Sequence, residues 1–268
     1  MARVTSSGTC TFCGGTVGKS AMTRHLTTCQ LRPPEPEQAP GRRRGPVQLY
    51  HLVVSGRYAP LYWLHLEAAS NATLGDLDDV LRQTWLECCG HLSAFRLGSR
   101  SFSSGADWDW GEDEDLDVEL GELLAPGVTL SYEYDFGTTT ELVVQVVGQR
   151  EGLAAGRAIT LLAGNHPPVI PCEGCAQAAA RVCSQCVFEG GGWLCAACAR
   201  KHGCGRDMLL PVVNSPRVGM CGYSGPGLAL GGPARWSGPS VLPVRVPCDR
   251  SPRSGSRVLP RMHARAGS

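Results

Sequence analysis

The amino-acid sequence predicts an α+β protein, with a central mixed-sheet domain that has one main helix and a small cysteine-rich module on each side. Alternating apolar and polar residues, typical of strands, occupy the middle of the 268-residue chain. Cysteines and histidines with the spacing of metal ligands stand on both sides of this region. A proline-rich stretch separates the first group of cysteines from the strands.

The N-terminal module, residues 1–30, contains four candidate metal ligands. They follow the pattern Cys-x2-Cys-x11-His-x3-Cys and are Cys10, Cys13, His25 and Cys29. A helix is predicted to begin after the N-cap Ser20. His25 and Cys29 lie four positions apart on this helix, so both side chains point from one face toward one ion. The pattern resembles a zinc finger of the CCHC type.

This predicted finger offers few groups that would bind a nucleic acid. A single finger covers about three base pairs, and the candidate phosphate contacts are only Lys19, Arg24 and Arg32. We therefore expect the finger to stabilise the terminus or to bind a protein. Residues 31–47, LRPPEPEQAPGRRRGPV, follow as a Pro/Arg-rich linker that we expect to be extended and solvated.

Residues 48–163 contain the predicted central domain. Two strands come first, within QLYHLVVSG and PLYWLHLEA. The first strand places three apolar side chains on one face, those of Tyr50, Leu52 and Val54. The main helix is predicted to start at Thr73 and to end at Gly90. A strand within HLSAFRLGSRSF, a short helical turn, a strand pair that turns at Gly137, and a strand at 159–162 complete an α+β domain.

The central domain contains a series of short motifs in a characteristic order. They are a Pro-x-x-Trp strand, a Thr-Leu-x-x-Leu helix, a further Trp, His-Leu-x-x-Phe and Tyr-x-Tyr-Asp-Phe-Gly. The matching residues are Pro60, Trp63, Thr73, Leu74, Leu77, Trp85, His91, Leu92, Phe95, Tyr132, Tyr134, Asp135, Phe136 and Gly137. Over residues 48–163 the chain resembles the plasmid pRiA4b ORF-3-like family, which includes insertion-element passenger proteins described as TnpR-like. The resemblance implies the α+β fold and an association with mobile elements, whereas the role of the motif residues is unknown.

The sequence departs from this family directly after the motif. Many members continue Asp-Phe-Gly with Asp-x-Trp-x-His, whereas this chain continues with Thr-Thr-Thr-Glu-Leu at 138–142. Because the polar residues of that segment are missing, we assign no catalytic residue and expect a non-enzymatic role. The alternative is a nucleic-acid-processing protein linked to transposition or recombination. In it, the acidic run DWDWGEDEDLD would bind magnesium together with Asp135 and His91. Consecutive acids, however, more often form a solvated loop, and we expect Asp135 to be a structural turn residue and His91 to be a cap or core residue.

The second cysteine-rich module lies within residues 164–222, which also include an apolar arm that we expect to return to the core. Its eight candidate ligands are Cys172, Cys175, Cys183, Cys186, Cys195, Cys198, His202 and Cys204. Eight such side chains are the number that closes two tetrahedral zinc sites. A disulfide framework is the competing interpretation, but it needs neither three evenly spaced Cys-x2-Cys pairs nor the histidine.

The sequence leaves open how these eight ligands divide between two ions. Sequential sharing would group the first and second Cys-x2-Cys pairs, and then the third pair with His202 and Cys204. Interleaved sharing would join the first pair with the third, and the second pair with His202 and Cys204. The order of the ligands resembles treble-clef and cross-brace modules of the B-box and MYND kind, and that resemblance implies interleaved sharing.

Composition limits the remaining possibilities. The net charge of +1 predicts no polyanionic partner, and the sequence has neither a membrane-span pattern nor a phosphate-binding or dinucleotide motif. We expect about three zinc ions per chain, an unidentified protein or nucleic acid as partner, and a reducing, cytoplasmic location. The other cysteines show no ligand pattern and are Cys88, Cys89, Cys221 and Cys248. We expect residues 223–268 to form a disordered basic tail.

Overall fold

A computed structural model of the protein describes residues 6–33, 45–105, 113–153 and 157–226. Most of the predicted linker, the first half of the acidic run and nearly all of the predicted basic tail, including Cys248, lie outside these residues. Tyr223, which we assigned to the tail, lies inside them; it is buried, and its amide donates to the Met220 carbonyl at 2.8 Å.

Nine strands form one large sheet. They are β1 (Ser7–Cys10), β2 (Thr16–Gly18), β3 (Val47–Gly56), β4 (Trp63–Ala69), β5 (Ser93–Leu97), β6 (Arg100–Ser103), β7 (Thr129–Tyr134), β8 (Thr140–Gly152) and β9 (Ile159–Asn165). Their order across the sheet is β2-β1-β9-β4-β3-β8-β7-β5-β6. The strands nearest the N-terminus thus extend the central sheet, since β1 pairs with β9.

Each pairing between these strands is antiparallel, so the predicted mixed sheet is wrong. Four of these pairings, β1–β2, β3–β4, β5–β6 and β7–β8, join consecutive strands through short connections, which suit an antiparallel pair because a parallel pair needs a long crossover. The other four join strands that are distant in the sequence, so no local signal specified their direction. The predicted strand HLSAFRLGSRSF likewise divides into β5 and β6. Gly98 takes a left-handed conformation with φ of 60° in the turn between them.

Four α-helices occur in the described residues: α1 (Lys19–Thr28), α2 (Leu74–Leu81), α3 (Leu120–Leu123) and α4 (Ala196–Ala199). The α2 helix begins with a capping box in which the Thr73 side chain accepts from the Asp76 amide and Asp76 accepts from the Thr73 amide. One wider helical turn of the π type, Arg82–Leu86, continues it. The predicted N-cap Ser20 is wrong, because α1 starts directly from β2 and Gly18 occupies the cap.

The main core lies between the central sheet and α2. Tyr50, Leu52 and Val54 of β3 point into it, as their alternation predicts, and Leu77 and Trp85 meet them from the helical side. Burial of such side chains contributes about 1.5–3 kcal/mol each to stability. A smaller second core, described below, lies beside β1 and α1.

A second sheet of three short strands belongs to the C-terminal module. It consists of β10 (Arg181–Cys183), β11 (Trp193–Leu194) and β12 (Leu209–Pro211), with β10 in the middle. The arm that follows β12 packs against the main core through Val218. Within the described residues, no helix is long and apolar enough to span a membrane.

Candidate metal centres

The N-terminal cluster consists of Cys10, Cys13, His25 and Cys29, whose ligand atoms all lie within 4.8 Å of one another. Strand β1 ends at the first of these cysteines and α1 supplies the histidine. The Cys13 Sγ lies 3.4 Å from His25 Nε2 and accepts a hydrogen bond from the Gly15 amide at 3.4 Å. This hydrogen bond lowers the pKa of the Cys13 thiol, which favours the thiolate that a metal requires.

A small apolar core holds the N-terminal cluster against the sheet. Met22 and Leu26 of α1 are fully buried, and they pack with Trp63 of β4 and Leu162 of β9. Phe12 is only partly buried at the edge of this core. The tertiary contacts of α1 therefore orient His25 toward the cysteines of the preceding turn.

The first C-terminal cluster consists of Cys172, Cys175, Cys195 and Cys198. The Sγ of Cys175 lies 3.5 Å from that of Cys195 and 3.8 Å from that of Cys198. The Cys198 amide donates to the Cys195 Sγ at 3.4 Å at the start of α4. A hydrogen bond from the Cys195 backbone is the main cause that lowers the pKa of Cys172 to about 6.

The second C-terminal cluster consists of Cys183, Cys186, His202 and Cys204. Strand β10 ends at the first of these residues. The Cys186 Sγ lies 3.6 Å from His202 Nε2 and 3.7 Å from the Cys204 Sγ. Burial opposes ionisation of Cys183, but hydrogen bonds from the Cys186 and Gln185 backbone outweigh it and bring its pKa to about 7.

The two C-terminal clusters divide the eight candidate ligands in the interleaved way. The first Cys-x2-Cys pair meets the third, and the second pair meets His202 and Cys204. Pairing of β10 with both β11 and β12 produces this arrangement, because it brings the chain after the third pair back beside the second pair.

The geometry of these clusters fits zinc. Zn–S bonds of about 2.3 Å at tetrahedral angles place two thiolates about 3.8 Å apart, and a disulfide would bring them to about 2.05 Å. The Sγ–Sγ distances of 3.5–3.8 Å match the first value. None of the thirteen cysteines that the structure describes is in a disulfide. Four protein ligands at each site leave no position for a reacting water, which is the composition of a structural zinc site.

Most residues of the motif series in the central domain are buried. Trp63 belongs to the small N-terminal core, and Tyr132 and Tyr134 lie in the main core. The Tyr132 hydroxyl donates to Asp78 Oδ1 at 2.7 Å, whereas Phe136 is exposed.

Asp135 occupies the turn after β7 with φ of 65°. Its Oδ1 accepts from the Gly137 amide at 3.0 Å, and its Oδ2 accepts from the Thr138 hydroxyl at 2.7 Å and from Arg217 Nη2 at 2.6 Å. Burial raises the pKa of Asp135, but the bonds from Arg217 and Thr138 outweigh burial and bring the pKa to about 2. The carboxylate is thus committed to contacts within the protein.

A fourth group of candidate ligands, which we call the central cluster, was not predicted from the sequence. It consists of Cys88, Cys89, His91 and Cys221. Three of these are cysteines that we expected to form no pattern, and we expected His91 to be a cap or core residue. The local signal in the sequence is the string Cys-Cys-x-His, or CCGH, after the main helix. The fourth residue, Cys221, is 130 positions away from His91.

Comparison of the chain with protein-family models and with curated proteins finds no match. A solved structure with partial similarity is that of MM3350, a protein of unknown function from Methanosarcina mazei Go1. The two proteins share 18% sequence identity over 46% of this chain and 72% of that chain, with a TM-score of 0.41. A similarity at this level assigns neither fold nor function to this protein.

Proposed function

We propose that this protein is a zinc-binding, non-enzymatic protein whose metal-stabilised modules bind another macromolecule. One observation carries the proposal. At three places predicted from the sequence, four cysteine or histidine side chains converge with their ligand atoms within 4.8 Å of one another. The proposed N-terminal CCHC finger and the C-terminal two-zinc module account for about three zinc ions.

Exposed apolar side chains on the C-terminal module favour a protein as partner. Val169, Phe188 and Met208 are 83%, 61% and 36% exposed. Aromatic residues and methionine are enriched in protein interfaces, where their burial provides much of the binding energy. A module that zinc makes rigid would present these side chains without a large loss of conformational entropy on binding.

The cations of the N-terminal module give less support to a nucleic acid as partner. The Lys19 ammonium donates to the Pro60 carbonyl at 2.7 Å, and the Arg32 guanidinium forms an ion pair with Glu67. Of the candidate phosphate contacts named from the sequence, this leaves Arg24 on the exposed surface of α1. One cation supplies little of the electrostatic attraction on which binding to phosphates depends.

The alternative function, nucleic-acid processing in transposition or recombination, would use Asp135 as a reacting group. Its side chain is 6% exposed, and both oxygens accept hydrogen bonds from within the protein. A buried, fully bonded carboxylate supports a structural role. Cleavage of DNA that is lost in Asp135→Asn while the zinc content is unchanged would favour the alternative.

Two further parts of the proposal depend on the sequence. We assign residues 48–163 to the plasmid pRiA4b ORF-3-like family from the motif that ends in Tyr134, Asp135, Phe136 and Gly137, and this carries the association with mobile elements. We also place the protein in the cytoplasm, because a reducing compartment keeps thiols available as metal ligands.

Metal analysis of the purified protein tests the zinc proposal. We expect Cys183→Ser to lose about one zinc ion and to make residues 164–222 sensitive to protease, since a structural zinc contributes about 10–16 kcal/mol of folding free energy. The matched control is Cys248→Ser, which alters the one cysteine outside the described residues. Full zinc content and unchanged protease resistance in Cys183→Ser would contradict the proposal.

Crosslinking in cells that express the protein tests the partner. Proteins that crosslink to the wild type should be depleted in Phe188→Asp, because this change replaces an exposed aromatic side chain with a charge. Thr27→Asp, an exposed position on α1, is the control for added charge. Crosslinks that survive in Phe188→Asp but disappear after nuclease treatment would point to a nucleic acid instead.

A further inference from the structure

The central cluster lies where the end of the main helix meets the C-terminal arm. The Cys89 Sγ lies 3.6 Å from the Cys88 Sγ and 3.7 Å from the Cys221 Sγ. His91 Nε2 faces the same point, at 2.9 Å from the Cys89 Sγ and 3.1 Å from the Cys221 Sγ. These Sγ–Sγ distances are close to the tetrahedral value of about 3.8 Å for two thiolates on one zinc ion.

We propose that the central cluster is a further structural zinc site, separate from the three sites of the proposed function. Like the N-terminal cluster and the second C-terminal cluster, it consists of three cysteines and one histidine. All four positions of a tetrahedral ion would be filled by the protein, so the site would stabilise the fold and leave no place for a substrate. Zinc is favoured because thiolate and imidazole ligands in tetrahedral arrangement suit it.

The backbone around the cluster is shaped to bring the ligands together. Gly90, between Cys89 and His91, has φ of 77°, which lets the chain reverse so that both side chains point the same way. Cys221 has φ of 45°, an uncommon conformation for a residue with a side chain. Such strain persists only where the surrounding contacts maintain it, and a bound metal is a contact of that kind.

The other ring nitrogen of the histidine has the partner that zinc-bound histidines commonly have. His91 Nδ1 lies 3.4 Å from Asp135 Oδ1, and the ring meets Tyr134 edge to face with 5.7 Å between centroids. A carboxylate at this nitrogen orients the ring and leaves Nε2 free to bind the metal. Asp135 is thereby a positioning residue for the site, which gives the acid of the family motif a physical role.

Arg217 connects the same network to the arm. Its guanidinium donates to Asp135 Oδ2 at 2.6 Å and lies 3.5 Å from the Cys88 Sγ. Two residues earlier in the chain, the Ser215 hydroxyl donates to the Trp85 carbonyl at 2.6 Å. The proposed zinc would therefore tie the arm that leaves the C-terminal module to the end of the main helix.

The test is zinc per chain in the full-length protein and in single-ligand variants, measured by elemental mass spectrometry. We expect about four zinc ions in the wild type and about one fewer in Cys89→Ser and in His91→Ala. His91→Cys restores four ligands and should restore the zinc. A wild-type content of about three, equal to that of both variants, would overturn the fourth site and leave the proposed function intact.

A second measurement needs no variant and covers the case in which Cys89→Ser fails to fold. Alkylation of the zinc-loaded wild type, followed by peptide mass spectrometry, should modify Cys88, Cys89 and Cys221 only after a chelator is added. Rapid alkylation of these cysteines while those of the other clusters stay protected would refute the central site. If the cysteines of the other three clusters were alkylated before any chelator is added, that result would instead contradict the proposed function.

Asp135→Asn tests the positioning role. We expect its zinc affinity at the central cluster, measured by competition with a chelator, to fall about 10–100-fold, while the other three sites keep theirs. Equal zinc affinities at the central cluster in the variant and the wild type would show that Asp135 does not position His91 for metal binding.

Discussion

Arg217 and Asp135 form a buried ion pair that joins the C-terminal arm to the central sheet. Their side chains are 0% and 6% exposed, and Arg217 Nη2 donates to Asp135 Oδ2 at 2.6 Å. The other terminal nitrogen, Nη1, donates to the Thr138 carbonyl and the Thr140 hydroxyl, each at 3.1 Å. This pair fixes where the arm docks, because a shift of the arm would leave two charged groups buried without their partners.

Removing one member of this pair should destabilise the protein strongly. We expect Arg217→Met to lower the free energy of unfolding by about 3–5 kcal/mol, because it leaves the Asp135 charge buried without its partner. Urea denaturation of the zinc-loaded protein measures the change. The control is Arg100→Met, which breaks an exposed pair with Glu114 and should destabilise the protein much less, because solvent screens an exposed ion pair. A similar small loss for both variants would contradict the role of the buried pair.

The interleaved division of the C-terminal ligands can be tested without mutation. When cadmium-113 replaces zinc, NMR correlates each metal with the β-protons of its cysteine ligands. We expect one cadmium signal to correlate with the first and third Cys-x2-Cys pairs, and another with the second pair and Cys204. One signal shared by Cys172 and Cys183 would show sequential sharing and would contradict the structure.

Gly192 should be essential to the second C-terminal cluster. Its φ is 85°, and a Cβ at this position would lie 2.8 Å from the Cys186 Cβ and 3.1 Å from the Cys183 Cβ. We expect Gly192→Ala to destabilise the module by about 1–3 kcal/mol and to release zinc faster in a chelator assay. Gly203→Ala is the control, because a Cβ there meets nothing within 4 Å. Equal release rates in the two variants would disprove the prediction.

His51 and His65 should make stability depend on pH. They face each other across β3 and β4, with His51 Nε2 at 2.8 Å from His65 Nδ1. Burial lowers the pKa of His51 to about 4 and that of His65 to about 3, so both are neutral in the folded protein near pH 5. The unfolded chain takes up these protons below its ordinary pKa of about 6.5, which favours unfolding.

Stability from this pair is therefore present above about pH 6.5 and falls as the pH is lowered toward 4, by up to about 1.4 kcal/mol per pH unit for each histidine. Urea denaturation at pH 7, 6 and 5 measures it, and the zinc content is checked at each pH so that metal loss is not counted. His65→Gln should make the dependence shallower. An unchanged slope in this variant would contradict the assignment.

Local signals in the sequence predicted much of the molecule. The alternation at Tyr50, Leu52 and Val54 predicted their burial, because successive strand residues point to opposite faces. Thr73 starts the main helix as predicted, through a capping box whose members are three residues apart. The direction of strand pairing was predicted wrongly, because alternation indicates which face is buried and carries no information about the neighbouring strand.

The candidate metal ligands also include some that could be predicted from the sequence and some that could not. A Cys-x2-Cys turn brings two thiolates together within one short loop, so three of the places where ligands cluster could be predicted from spacing alone. The pairing of the eight C-terminal ligands follows from the fold, since it depends on the three-stranded sheet around β10. The fold also brings Cys221 to His91 across 130 positions, because the Arg217–Asp135 pair docks the arm there. Contacts between distant segments arise from packing of the folded chain, and no spacing within a segment specifies them.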